Sequence, residues 1–91
     1  VGPYAIYGSG FYGAFIYSHL SEHSDIRYFL DQSPFQQEKE LFGLPIVAPE
    51  TMTAEVRTLY VGLNPSIART AVSSHPVFNR PELNVVFLDN L

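Results

Sequence analysis

The chain has 91 residues, 46% hydrophobic and 14% aromatic, which suits one packed domain and excludes a disordered segment. Its net charge is −4, and its five basic residues (Arg27, Lys39, Arg57, Arg69, Arg80) are scattered, which argues against the clustered basic footprint of a nucleic-acid binder. There is no cysteine, so disulfides and thiolate chemistry are excluded and a cytoplasmic location is expected; no apolar run approaches the roughly 18 residues of a membrane span, so no membrane partner is expected.

The chain opens at Val1, without an initiator methionine, and runs almost at once into a strand. The expectation is a single domain over 1–91 that belongs to a larger polypeptide, whose remainder is its expected partner. "YAIY" (Tyr4–Tyr7) is a continuous apolar run closed by glycine, the pattern of a strand buried on both faces. From Phe11 to about His23 the period becomes helical, with Gly13, Ile16, Tyr17 and Leu20 on one face. "IRYFL" (Ile26–Leu30) is a second strand, closed by the turn "DQSP", and Glu38, Lys39 and Glu40 read as a solvated loop or helix turn. "LPIV" (Leu44–Val47), interrupted by proline, suits an edge strand.

"APETMTAEV" reads as a short helix with Pro49 in its first turn and Glu50 at the positive end of the dipole. "LYVGL" (Leu59–Leu63) is a further strand. "NPSIARTAVSS" is a helix capped by Asn64 with Pro65 at its first position, and "LNVVFLD" (Leu83–Asp89) is the last strand. Strands alternating with helices imply βαβ units. The expected fold is α/β and Rossmann-like, in three layers, with a parallel sheet of 4-5 strands in the order 3-2-1-4-5 and helices on both faces.

Ligands of such sheets bind beyond the carboxyl ends of the strands, where the order reverses. Here the reversal brings together the loop Gly8–Gly13 and the segment "LNPS", which contains Asn64 and Pro65. Gly8, Gly10 and Gly13 have the G-x-G-x-x-G spacing. The first makes the tight turn, the second lets backbone approach a phosphate, and the third lets the helix lie close to the sheet. Asp31, 18 residues after Gly13 and followed by Gln32, stands where an acid is expected to bond a ribose hydroxyl. Two readings follow: a phosphate-ligand site, or an empty turn in which Gly13 serves packing and Asp31 caps "DQSP".

Together with "GLPIVAPE" (Gly43–Glu50), these motifs over residues 4 to 70 resemble a Rossmann-like domain of sugar-modifying proteins. Such domains stand at the N-terminus of UDP-amino-sugar acetyltransferases and beside FkbM-type or sugar C-methyltransferases. The resemblance implies a nucleotide-sugar held by Gly8, Ser9, Gly10, Gly13 and Asp31. Phe11 and Tyr12 depart from the small or histidine residue often found before the third glycine, and either stack on a base or sugar or fill the pocket. CoA-binding domains share a similar arrangement. NAD is a further alternative, although a dinucleotide normally spans two mononucleotide halves.

No catalytic pair emerges. Ser9 has no evident base, and His19, His23 and His75 lack the spacing of a metal site, so no metal ligand is expected. Tyr12, Phe15 and His19 form a second helical stripe, open to an attached domain or to cover by a loop.

Overall fold

The computed structural model describes residues 2–91. In chain order the elements are β1 (Tyr4–Tyr7), α1 (Phe11–His19), β2 (Ile26–Leu30), β3 (Glu40–Leu41), β4 (Leu44–Val47), β5 (Thr58–Val61), α2 (Pro65–Ser73) and β6 (Asn84–Phe87). Short 3-10 turns lie at Pro49–Thr51, Pro76–Phe78 and Leu88–Asn90.

All the strands belong to one sheet in the order β3-β4-β2-β1-β5-β6. β1 lies at its centre, parallel to both β2 and β5, while β4 and β6 extend the parallel ladder outward. The strands read from sequence therefore stand in the expected sequence of neighbours. The difference is at one edge, where antiparallel β3 makes the sheet mixed and six-stranded. β3 arises from a tight hairpin whose two turn residues, Phe42 and Gly43, both have positive φ, 55° and 78°. The Glu38–Glu40 stretch is thereby drawn onto β4: Glu38 N–H donates to the Ile46 carbonyl and Ile46 N–H to that of Lys39. β4 is thus covered on its outer side.

Alternation along β1 divides the core. Ile6 packs with Phe29, Ile46 and Ile16 of α1, whereas Ala5 and Tyr7 pack with Leu30, Leu59, Val61 and Ala68 and Val72 of α2. α1 contributes to the first of these clusters and α2 to the second. Ile6, Ile16 and Phe29 are fully buried, and each such side chain contributes on the order of 1.5–3 kcal/mol from leaving water.

Four element boundaries differ from the sequence reading. The strand read as Leu59–Leu63 is β5, Thr58–Val61, which ends where Gly62 closes against the backbone of Gly13 and Leu63 turns towards α2. α1 stops at His19 because Leu20 turns extended, and the His23 ring, 2.8 Å away, takes the Tyr17 carbonyl that a continued helix would use. "APETMTAEV" forms only the 3-10 turn Pro49–Thr51. There the Thr53 N–H donates to Tyr28 Oη at 3.0 Å, and Met52 and Val56 turn into the core on the α2 side, so burial outweighs helix continuation. β6 is confined to Asn84–Phe87, because Leu88 enters the last 3-10 turn. The start of α2 is as expected: Pro65 holds the first turn, and Asn64 Oδ1 accepts from Ser66 N–H and Oγ–H at 3.0 and 2.9 Å.

Candidate functional site

The carboxyl ends of β1, β2 and β5 meet at the point where the strand order reverses, and three glycines bring their backbones into contact there. Gly8 has φ +106°, and a Cβ on it would stand 2.2 Å from the Gly62 carbonyl oxygen. A Cβ on Gly13 would stand 2.0 Å from the Gly8 carbonyl oxygen, and one on Gly62 2.6 Å from Gly13 Cα. Only hydrogen fits at each point, so α1 begins directly against the ends of β1 and β5. Gly10 is different: a Cβ there would meet nothing within 4 Å. Of the three motif glycines, two are consumed by packing, and Gly10 faces open space.

The acid at the end of β2 is joined to this loop. Asp31 Oδ2 accepts from Ser9 Oγ–H at 2.5 Å and from Ser9 N–H at 3.2 Å, and Oδ1 accepts from Ser33 N–H at 2.9 Å. Gln37 Nε2 donates to the Asp31 carbonyl at 2.9 Å. Asp31 thus ties the glycine loop to the turn that follows β2. Oδ2 uses both of its lone pairs in these bonds, whereas Oδ1 keeps one with which the acid can accept from a ligand.

Beside Gly8 and Asp31, on the α2 side of the sheet, lies a cleft of about 170 Å³ lined by Tyr7, Gly8, Asp31, Gln32, Leu63, Ile67 and Ala71. Leu63, Ile67 and Ala71 follow one another at four-residue spacing and make an apolar wall; Asp31 and Gln32 make the polar one. A larger groove of about 340 Å³ runs along β4 at the sheet edge, and none of its lining residues belongs to the glycine loop. Position favours the smaller cleft.

Gln32 has two side-chain partners, one of which, Tyr7, also lines the cleft. Its Oε1 accepts from Tyr7 Oη–H at 2.9 Å and lies 2.8 Å from His75 Nε2. His75 Nδ1 is 3.7 Å from a Glu50 carboxylate oxygen, and the ring stands edge-on to Tyr7 and Phe78. Burial pushes the Tyr7 phenol above its ordinary value, and the negative charges of Asp31 and Glu50 act in the same direction, so the hydroxyl stays protonated and donates.

Of the residues singled out in the sequence, Gly8, Asp31 and Gln32 line the cleft, and Ser9 and Gly10 sit next to it in the loop. Gly13 is buried in the packing contact with Gly8. Phe11 is 79% exposed and meets Tyr12 edge-on at 5.4 Å; neither ring lines the cleft. Asn64 and Pro65 are exposed and shape the start of α2, while their neighbours Leu63 and Ile67 reach the cleft. Sequence reasoning passed over Gly62, Tyr7 and His75. Gly62 carried a local signal, a glycine closing a strand before a capping Asn-Pro. His75, 43 residues from Gln32, carried none.

The arrangement offers recognition groups rather than a reacting pair. Ser9 is 9% exposed with its hydroxyl directed at Asp31, a positioning role rather than that of a nucleophile. Among the described residues no group of three or more His, Asp or Glu is placed to hold a metal ion, and no helix is long and apolar enough to cross a membrane. Compared with known protein families, curated proteins and solved structures, the chain matches none.

Proposed function

We propose that the chain is a Rossmann-like, three-layer binding module that holds a nucleotide-sugar or a related nucleotide phosphate, within an acetyl- or methyltransferase-associated protein that modifies sugars. The observation that carries this reading is the division of labour in the loop: Gly8 and Gly13 are fixed by contact with backbone, whereas Gly10 leaves open space at the start of α1. Backbone N–H groups at a helix start supply donors and partial positive charge to a phosphate. The apolar wall of Leu63, Ile67 and Ala71 suits the flat face of a base, and Asp31 is the acceptor for a ribose hydroxyl. A volume of about 170 Å³ is below the roughly 300–1,000 Å³ of sites that enclose a whole ligand, so the cleft takes one ring system and the phosphates lie over the loop. NAD and CoA offer the same base and phosphate chemistry and are the competing ligands.

A second reading, an interaction domain that keeps an empty glycine turn, draws support from the internal engagement of Asp31 by Ser9 and Ser33 and from the exposed rings of Phe11 and Phe15 on α1. Titration with UDP-sugars, NAD and CoA, followed by amide chemical shifts, separates the two. Binding at the cleft moves the signals of Ser9, Gly10, Asp31 and Gln32. No movement at millimolar ligand supports the interaction domain.

A further inference from the structure

We infer that the site selects its ligand by charge: a phosphate esterified at both ends, with one negative charge, is favoured over a terminal phosphate with two. This rests on the nucleotide-binding reading above and adds the class of nucleotide, one still joined to its sugar or second nucleoside rather than a free mono- or diphosphate.

Carboxylates set the charge of the site. Asp31 lines the cleft and is bonded through Oδ2 to Ser9 in the glycine loop, where the phosphates are expected to lie. Glu50 comes from the turn after β4, with a carboxylate oxygen 3.7 Å from His75 Nδ1. Burial is the main cause that raises the Tyr7 phenol, and the fields of Asp31 and Glu50 raise it further, so both charges are felt at the cleft wall.

The five basic side chains are engaged or placed elsewhere. Arg27 Nε lies 3.7 Å from a Glu55 carboxylate oxygen, and Arg80 donates to the Thr53 and Val56 carbonyls. Arg69 lies over the Phe87 ring at 4.3 Å and 3.3 Å from Asp89. Lys39 lines the groove along β4, and Arg57 directly precedes β5, at the end of the strand opposite to the cleft. The N–H groups of a helix start amount to about half a positive charge, which offsets part of one phosphate charge and not two. The second charge of a terminal phosphate is left to face Asp31. A phosphate monoester loses its second proton at a pH of roughly 6; a phosphate esterified at both ends has none to lose.

The test is calorimetric titration of the full chain with UMP and AMP, each beside its 5′-phosphate methyl ester, at about pH 8 in buffer free of divalent cations. Ester and parent share base and ribose and differ by one negative charge. In about 0.01 M salt the better-bound ester is expected to bind about tenfold more tightly than its parent, and the ratio should fall in about 1 M salt, where charges are screened. Asp31→Asn and Glu50→Gln each remove one opposing charge, and each should lower the ratio about threefold in low salt. A merely structural role for either acid would change both affinities alike and leave the ratio. A ratio of one in low salt, or a ratio undiminished by salt and by both substitutions, overturns this inference and leaves the binding module standing. Absence of binding by all four ligands at millimolar concentration overturns both.

Discussion

The Ser9 hydroxyl and the Asp31 carboxylate, 22 residues apart in the chain, meet in a hydrogen bond of 2.5 Å that fastens the glycine loop to the end of β2. Removing the carboxylate strands the Ser9 N–H and hydroxyl together with the Ser33 N–H. Unmet donors of this kind cost on the order of 1–3 kcal/mol. Asp31→Ala should therefore lower stability by about 2 kcal/mol in urea unfolding, and Asp31→Asn by less. An unchanged midpoint for Asp31→Ala would show that the loop holds its shape without the acid.

Two glycines of the same loop should respond in opposite ways. Alanine is the better helix former by about 1 kcal/mol, yet Gly13→Ala places its Cβ 2.0 Å from the Gly8 carbonyl oxygen, and backbone must move. The expected loss is about 3 kcal/mol or more, seen as a clear drop in Tm. At Gly10 the Cβ of a valine meets nothing within 4 Å. Gly10→Val should melt close to wild type while losing phosphate-ligand binding in the shift titration, because its methyls occupy the approach to the loop.

Phe42 holds a positive φ of 55° and lies flat on Tyr17 at 4.3 Å between ring centroids, with His23 on the other face of Tyr17 at 3.9 Å. The left-handed backbone costs about 1 kcal/mol or more for a residue with a Cβ, and the stack offsets it. Phe42→Ala keeps the strain and loses the stack, so a loss of about 1–2 kcal/mol is expected. Phe42→Gly, which relieves the strain, should be less harmful than Phe42→Ala in the same thermal melts.

Alkaline titration reports on the buried phenols. Burial raises the pKa of both Tyr7 and Tyr60 above the ordinary 10.0; Asp31 and Glu50 add to the shift at Tyr7, and Tyr4 adds at Tyr60. Their neutral forms are the ones favoured by the fold. Stability from these groups is complete below pH 10.0 and falls as the pH rises through the higher folded values. Phenolate absorbance should develop late for two tyrosines, and Tyr7→Phe should remove one late component.

Strand order was legible because it rests on patterns that act locally: "YAIY" and "LYVGL" are apolar throughout, "IRYFL" is broken only by Arg27, and the right-handed crossover rule then leaves few arrangements. β3 was not legible. Its hairpin turns on Phe42 and Gly43, and phenylalanine gives no warning of a positive φ; the aromatic stack on Tyr17, 25 residues earlier, is what sustains it. At the site, the glycine spacing and Asp31 could be read directly. The partners of Gln32 could not, since Tyr7 reads as a buried strand residue and His75 as a loop histidine until the fold sets them side by side. Phe11 shows the reverse limit: a bulky ring next to a glycine suggests a lining or a plug, and only the direction of the first turn of α1 sends it to solvent.

The contact of Gly8, Gly13 and Gly62 bears on how firmly any ligand is held. No side chain stands between these three backbones, so no rotamer has to be chosen there and no loop has to be gathered up when a ligand arrives. Ordering a flexible loop takes a toll of about 0.5–1.5 kcal/mol for each side chain immobilised. In this domain the loop's share of that entropy is already lost during folding, which leaves the side chains across the cleft, Ile67 above all at 55% exposed, as the part still to be ordered on binding.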